Sequence, residues 1–182
     1  MIGCIGKFEK VSFESFTEIF DSKNKGGDKF LKTMREIYDS IKLPMRATTG
    51  SGGYDFYAPF DIEMEPGTEV VIPTGIRVDM PAGSVLMIAP RSGSGFKYGV
   101  KLGNTIGIVD EDFFNPDTRS EGHILIKLMN HDSSDTINFK AGDGIVQGVI
   151  LPFISFPDYD KERWEENGLI ERSGGFGSTD KQ

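Results

Sequence analysis

Cysteine and histidine are almost missing from this chain. Its 182 residues include one cysteine, Cys4, and two histidines, His123 and His131. A lone cysteine permits no internal disulfide, which suits a reducing compartment, and Cys4 reads as inert. The usual His/Cys zinc sites are short of ligands, and two histidines with one cysteine argue against Ser-His or Cys-His catalysis. A hydrolase of this composition has to use a carboxylate. Positive charge is also short, with a formal net charge of −8. That argues against general binding to nucleic acid or to an anionic membrane. An anionic ligand would need a local cluster of cations or a divalent metal. No apolar run approaches the ~20 residues that span a bilayer. The N-terminus has no basic-then-apolar signal layout, so the expectation is a cytoplasmic protein.

Glycine is abundant, at 23 residues, which favours tight turns over long helices. The length fits one domain with a sizeable core. Residues 1–11 hold a weakly alternating first strand, KFEKV. From 12 to 41 the apolar residues follow helical spacing. Phe13, Phe16, Ile19 and Phe20 share one face, and Gly26-Gly27 stops that helix. Asp28 is placed to cap a second helix, with Phe30, Leu31, Met34, Ile37, Tyr38 and Ile41 on its buried side. Residues 42–170 change texture. Short apolar runs such as YDFYA, SVLMIA, GHILIKLMN and GIVQGVILPF alternate with Gly, Pro, Asn and Asp turns. This spacing predicts an all-β barrel or jelly roll with an added N-terminal helical hairpin. One helical turn is expected around Trp164, and the acidic run KERWEEN reads as a solvated face. Residues 171–182 form a Gly/Ser-rich tail.

Four stretches offer chemistry. In APRSGSGFKYG (89–99), small residues expose backbone N–H groups, serines add hydroxyls and Arg91 adds charge. Such a strand end can wrap phosphate oxygens; a polar turn with a solvated arginine is the plain alternative. In GNTIGIVDEDFF (103–114), Asp110 ends a strand, where a carboxylate can polarise water. Asp110, Glu111 and Asp112 repel one another, which favours a metal or a raised pKa; a simple turn aspartate is the alternative. Phe113 and Phe114 alone read as core. In GSGGYDFYA (50–58), Asp55 interrupts an aromatic strand, where an acid is costly without a partner. In AGDGIVQG (141–148), Gln147 lies in an apolar strand and must find hydrogen bonds, as a core amide or as a ligand contact. His123 and His131 stand far from any second ligand and read as surface or core.

The order of these stretches is more specific than any one of them. GYDFYA, APRSG, NTIGIVDEDF, GDGIVQ and RSGGFGST resemble the five-motif series of the trimeric dUTPase (dUTP pyrophosphatase) family over residues 44–179. The resemblance implies a distorted jelly-roll β barrel, a homotrimer with shared active sites, and Mg²⁺-assisted hydrolysis of dUTP to dUMP and pyrophosphate. It implies that Asp110 orients water toward the α-phosphorus. Arg91, Ser92 and Gly93 would bind phosphate, with Ser92 near the breaking bond. Asn104, Ile106, Gly107 and Ile108 would lie in the hairpin that reads uracil, and Phe113 under the deoxyribose. Gln147 would stand near the α-phosphate and metal-bound water. Asp55 would help the metal indirectly, through water, the ion being held mainly by the triphosphate. In the tail, a mobile lid over 171–182, Phe176 would stack on uracil and Arg172 would reach the outer phosphates. Gly174, Gly175 and Gly177 would let that backbone wrap closely, and Ser178 and Thr179 would add contacts.

The chain departs from the family pattern in places. Phe113 stands where tyrosine is usual, and Gly144 where the fourth motif has arginine. The fifth motif is one residue short between Arg172 and Gly174, and Asp180 replaces a glycine. The loop 114–121 is enlarged, and the hairpin 12–41 is an addition; both are candidate partner surfaces. Two other readings use the same scaffold. A dCTP deaminase shares the PRS turn but uses a glutamate base and a different lid. A regulatory protein would keep the fold without the reaction.

Overall fold

Alternation of apolar and polar residues lays down most of the strands, as the burial of successive side chains shows. The computed structural model describes residues 6–21, 28–131 and 134–167. In chain order these form β1 (Lys7–Lys10), α1 (Phe13–Asp21), α2 (Asp28–Ser40), β2 (Tyr54–Tyr57), β3 (Ile62–Met64), β4 (Glu69–Pro73) and β5 (Ile76–Asp79). They continue with β6 (Ser84–Pro90), α3 (Ser92–Tyr98), β7 (Val100–Leu102), β8 (Gly107–Asp110) and a 3₁₀ turn at Glu111–Phe113. Then follow β9 (Leu125–Asn130), β10 (Ile137–Phe139), β11 (Gly144–Pro152) and α4 (Pro157–Asn167).

All strand pairs are antiparallel. The largest sheet runs β2-β11-β6-β8, beside a β4-β9-β7 sheet and the pairs β1-β5 and β10-β3. Their inner faces enclose one core that includes Phe56, Met64, Ile72, Leu86, Ile88, Leu128, Ile145 and Val146. This is the all-β, jelly-roll-like architecture that the short strands predict. No helix of the described residues is long and apolar enough to cross a membrane.

The N-terminal elements share this core. β1 pairs with β5 from Lys7↔Asp79 to Lys10↔Ile76. From α1, Phe16 is fully buried, which contributes about 2–3 kcal/mol of apolar transfer. Met34 and Ile41 are buried from the second helical segment. The Tyr38 hydroxyl donates to the Val11 carbonyl at 2.6 Å, and Phe13 meets Tyr38 edge-on at 5.6 Å. Thus 12–41 is a helical pair packed onto the barrel.

Three expectations are corrected. Ile19 and Leu31 follow the apolar spacing yet are exposed in the protomer, at 37% and 45%. The segment around Trp164 is an eleven-residue helix rather than one turn, and Trp164 stays 53% exposed. Residues 92–98 form a helix rather than an open glycine loop. Arg91 is extended at its N-cap, and Gly99 closes it in the left-handed conformation at φ 64°.

Candidate active site

A first group of side chains gathers at one end of the largest sheet. β11 is its second strand, and Gln147 is registered against Asp55 on one side and Ala89 on the other. Arg91 follows directly from β6. Its Nη2 lies 3.0 Å from Asp55 Oδ2, and Asp55's side chain is only 14% exposed. That supplies the partner a half-buried acid in an aromatic strand requires. Arg91 Nη1 also donates to the Gly144 carbonyl at 3.2 Å. The guanidinium lies directly over Gly144: a Cβ there would sit 2.8 Å from Arg91 Cζ. Where the family pattern has a second arginine, this chain has a notch that the first one fills. Gln147 crosses Gly53, where a Cβ would meet Oε1 at 3.0 Å. Ser92 and Gly93 open α3, and first-turn N–H groups have no acceptor within their own helix.

A second group forms around the β7–β8 turn, which crosses between two sheets instead of making the expected hairpin: β7 pairs with β9, and β8 with β6. The turn is tight: Thr105 N–H donates to Leu102 at 3.1 Å and Ile106 N–H to Asn104 at 2.6 Å. Thr105 sits at φ 65°, in the region that costs a non-glycine residue energy. Ile106 and Ile108 are exposed. Beside them is a pocket of about 230 Å³ lined by Asn104, Gly107, Ile108, Asp110, Phe113 and Leu125, among others. Asp110 is exposed at the end of β8, directly before the 3₁₀ turn. The acidic trio does not act together. Glu111 turns away and accepts the N–H of Gly83, with Ser84 N at 3.4 Å. Phe113 packs on the core, as its apolarity suggests, while also lining this pocket.

Strand register relates the two groups. β6 pairs Val85 with Asp110 and Ala89 with Gln147. Residues directly opposite share a face, and 85 and 89 share one along the strand. Leu86 and Ile88 point into the core, so Asp110, Gln147 and Asp55 stand on the outward face. Asp110 and Gln147 lie four residues apart along β6 and two interstrand spacings apart across the sheet, which is about 16 Å in all. Between them the face is half-exposed and apolar, with Met87, Ile108 and Val149 in one row. Within one protomer, Asp55, Arg91 and Gln147 come together; Asp110, Asn104, Ile106, Gly107, Ile108 and Phe113 come together; the two sets do not meet. Arg172, Phe176, Gly177, Ser178 and Thr179 lie outside the described residues.

His123 belongs to neither set. It is 3% exposed, and its Nε2 accepts the Gly75 N–H at 2.8 Å. Burial pushes its pKa down to about 4, so it is a neutral core residue. Sequence reasoning missed the Gly53 and Gly144 contacts, because a glycine's neighbours across a sheet leave no local signal.

Fold and site together define a jelly-roll-like β barrel that sets a carboxylate at a pocket beside the β7–β8 turn and an arginine–aspartate pair at the other end of one strand. Known proteins narrow that class. Residues 39–180 match the dUTPase family model. The deoxyuridine 5'-triphosphate nucleotidohydrolase of Lactococcus lactis is 39% identical over 140 residues, covering 76% of this chain and 88% of that one. The crystal structure of dUTPase from Streptococcus mutans is 35% identical, with a TM-score of 0.57 over 65% of this chain and 90% of its own. A mutant dUTPase from phage phi11 of S. aureus, described with a structural Mg(II) ion, is 17% identical. It matches 95% of this chain and 99% of its own at a TM-score of 0.59, a likeness of fold. The chain belongs to the dUTPase family.

Proposed function

We propose that this chain is a dUTP pyrophosphatase that releases dUMP and pyrophosphate through attack of an Asp110-oriented water on the α-phosphorus. The observation that carries the reading is Asp110, an exposed carboxylate that lines one pocket with Asn104, Gly107 and Ile108 of the β7–β8 turn. The 104–108 turn reads uracil through backbone groups, and its tightness leaves no room for the thymine methyl. Phe113 lies under the deoxyribose. Arg91, Ser92 and Gly93 hold phosphate, and Gln147 contacts the α-phosphate region. Catalysis of this kind is positioning and charge neutralisation, which a histidine-poor site can perform.

The donor set fits Mg²⁺ held mostly by substrate. No cluster of three His, Cys, Asp or Glu suited to a metal occurs among the described residues. Asp55 and Gln147 supply one carboxylate and one amide. Mg²⁺ keeps several waters and takes phosphate oxygens readily, so these two side chains would hold it through water. When bound, the ion neutralises charge on the triphosphate. Asp55 keeps Arg91 aimed, and Arg91 holds a phosphate oxygen.

The working unit is a homotrimer with shared sites. The support is the separation of Asp110 from Gln147 and Arg91, about 16 Å or more, too great for them to serve one phosphorus. A neighbouring copy that covers the apolar strip would bring its own Arg91 group to this Asp110. The tail 171–182 then closes over bound nucleotide, with Phe176 on uracil and Arg172, Ser178 and Thr179 on phosphates.

The test is pyrophosphate and ammonia release from all four dNTPs and UTP, for the wild type and Asp110→Asn. Pyrophosphate from dUTP is expected, with Asp110→Asn slowed by about 10²–10⁴. Ammonia from dCTP, or full activity of Asp110→Asn, would overturn the reading.

A further inference from the structure

One carboxylate ties the enlarged loop after Asp110 to the N-terminal helices. Ser12 caps α1, its Oγ accepting the Ser15 N–H at 3.1 Å. A complete capping box places Glu or Gln at the third helical position, to accept the cap residue's own N–H. Here that position is Ser15. Glu121, 109 residues along the chain, takes the role instead. Its Oε2 accepts the Ser12 N–H at 2.9 Å, and its Oε1 accepts the Ser12 hydroxyl. Oε2 also meets Arg77 Nη1 at 2.9 Å, and the Glu121 side chain is only 16% exposed. Two more contacts run alongside: Ser15 Oγ donates to the Ser120 carbonyl at 3.2 Å, and Arg119 pairs with Glu18. Glu121 is held at φ 53°, a conformation that a non-glycine residue keeps only when its surroundings enforce it.

The next residue reaches the site. Gly122 has φ 80°, and a Cβ there would lie 2.6 Å from the Phe113 carbonyl oxygen and 3.0 Å from Phe114 Cα. The backbone at 122 is therefore pressed against residues 113–114. Arg77, gripped by Glu121, lies 5.0 Å from the Phe114 ring centre. Phe113 forms a wall shared by the Asp110 pocket and by a cleft of about 910 Å³ between α1 and the loop.

We propose that Glu121 is a positioning residue for Phe113: by locking the 114–121 loop to the first turn of α1, it sets how the Phe113 ring meets the sugar of the substrate. The inference rests on the dUTP reading of the pocket. It gives the helical hairpin a part in sugar recognition, although none of its described residues lines the Asp110 pocket.

The test is steady-state kinetics on dUTP and UTP for the wild type, Glu121→Ala, Ser12→Ala, Phe113→Ala and the Glu121→Ala/Phe113→Ala double variant. Glu121→Ala should raise KM for dUTP by about tenfold with kcat within about twofold. It should also lower the dUTP-over-UTP preference, which a merely structural loss would leave alone. The double variant should be no worse than Phe113→Ala, since both act through one ring. Ser12→Ala, which keeps the Arg77 pair, should shift KM and preference the same way by less, and it covers the case of Glu121→Ala failing to fold. Wild-type KM and preference in Ser12→Ala, or multiplicative losses in the double variant, would overturn the proposal. A wild type that ignores dUTP would sink the functional reading first, and this inference with it.

Discussion

Adding one methyl group at Gly144 should disable the site without removing any polar atom from it, because the methyl would collide with the Arg91 guanidinium. A Cβ at 144 would lie 2.8 Å from Arg91 Cζ and 3.1 Å from Cδ, whereas relaxed carbon contacts are 3.5–4.0 Å. The guanidinium must therefore retreat by about 1 Å. That retreat breaks its 3.2 Å bond to the Gly144 carbonyl and its 3.0 Å pairing with Asp55. Asp55 is mostly buried and would lose its counter-charge, a loss worth about 1–3 kcal/mol. Arg91 is 39% exposed, and solvent screening brings the stability cost to the low end, near 1 kcal/mol. The catalytic cost is larger, because a phosphate-holding group displaced by about 1 Å lowers kcat/KM by roughly 10–100-fold. The assay is kcat/KM for dUTP beside a thermal melt. Gly144→Ala should melt within a few degrees of wild type and lose most of its turnover. Wild-type kcat/KM in that variant would refute the claim that Arg91 needs this notch.

Acid should destabilise the protein through His123. Its folded pKa is about 4 against about 6.5 when unfolded, so the unfolded chain takes the proton first. Stability is full above pH 6.5 and falls by about 3 kcal/mol as pH drops toward 4. Urea midpoints across that window should fall more steeply for wild type than for His123→Gln; parallel slopes would contradict this. Removing residues 172–182 should leave a folded trimer with kcat/KM lowered by about 100-fold, and full activity would rule out the lid. EDTA should cut turnover while leaving the nucleotide-free melting temperature unchanged; a Mg²⁺-dependent melt without nucleotide would show a protein-held ion instead. Sedimentation should give three times the 20.1 kDa of one chain, and a lone protomer under assay conditions would contradict shared sites.

Much of the fold was legible because period-two burial leaves a local trace: the SVLMIA and GHILIKLMN runs became β6 and β9, where Leu86 and Ile88, and Ile126 and Leu128, alternate as buried residues with less buried neighbours. Helical spacing likewise marked α1 and α2, although Ile19 and Leu31 kept the period without being covered by the protomer. The helix at 92–98 was hidden, because Ser-Gly-Ser-Gly has low helix propensity. What allows it is local geometry at its ends, an extended Arg91 and a left-handed Gly99. Asp55 stood out as an acid in an aromatic strand, but its partner did not. That Arg91 would reach it depends on how β2, β11 and β6 align. The Ser12–Glu121 bond was more remote still. Position three of α1 lacks its acid, which marks an incomplete box, but nothing nearby names the residue that completes it.

The most direct measurement is the fate of oxygen when dUTP turns over in ¹⁸O-labelled water. Attack at the α-phosphorus by an Asp110-aimed water requires one labelled oxygen in dUMP and none in pyrophosphate, with turnover collapsing in Asp110→Asn. Label in pyrophosphate would place the attack on the β-phosphorus and contradict the role given to Asp110.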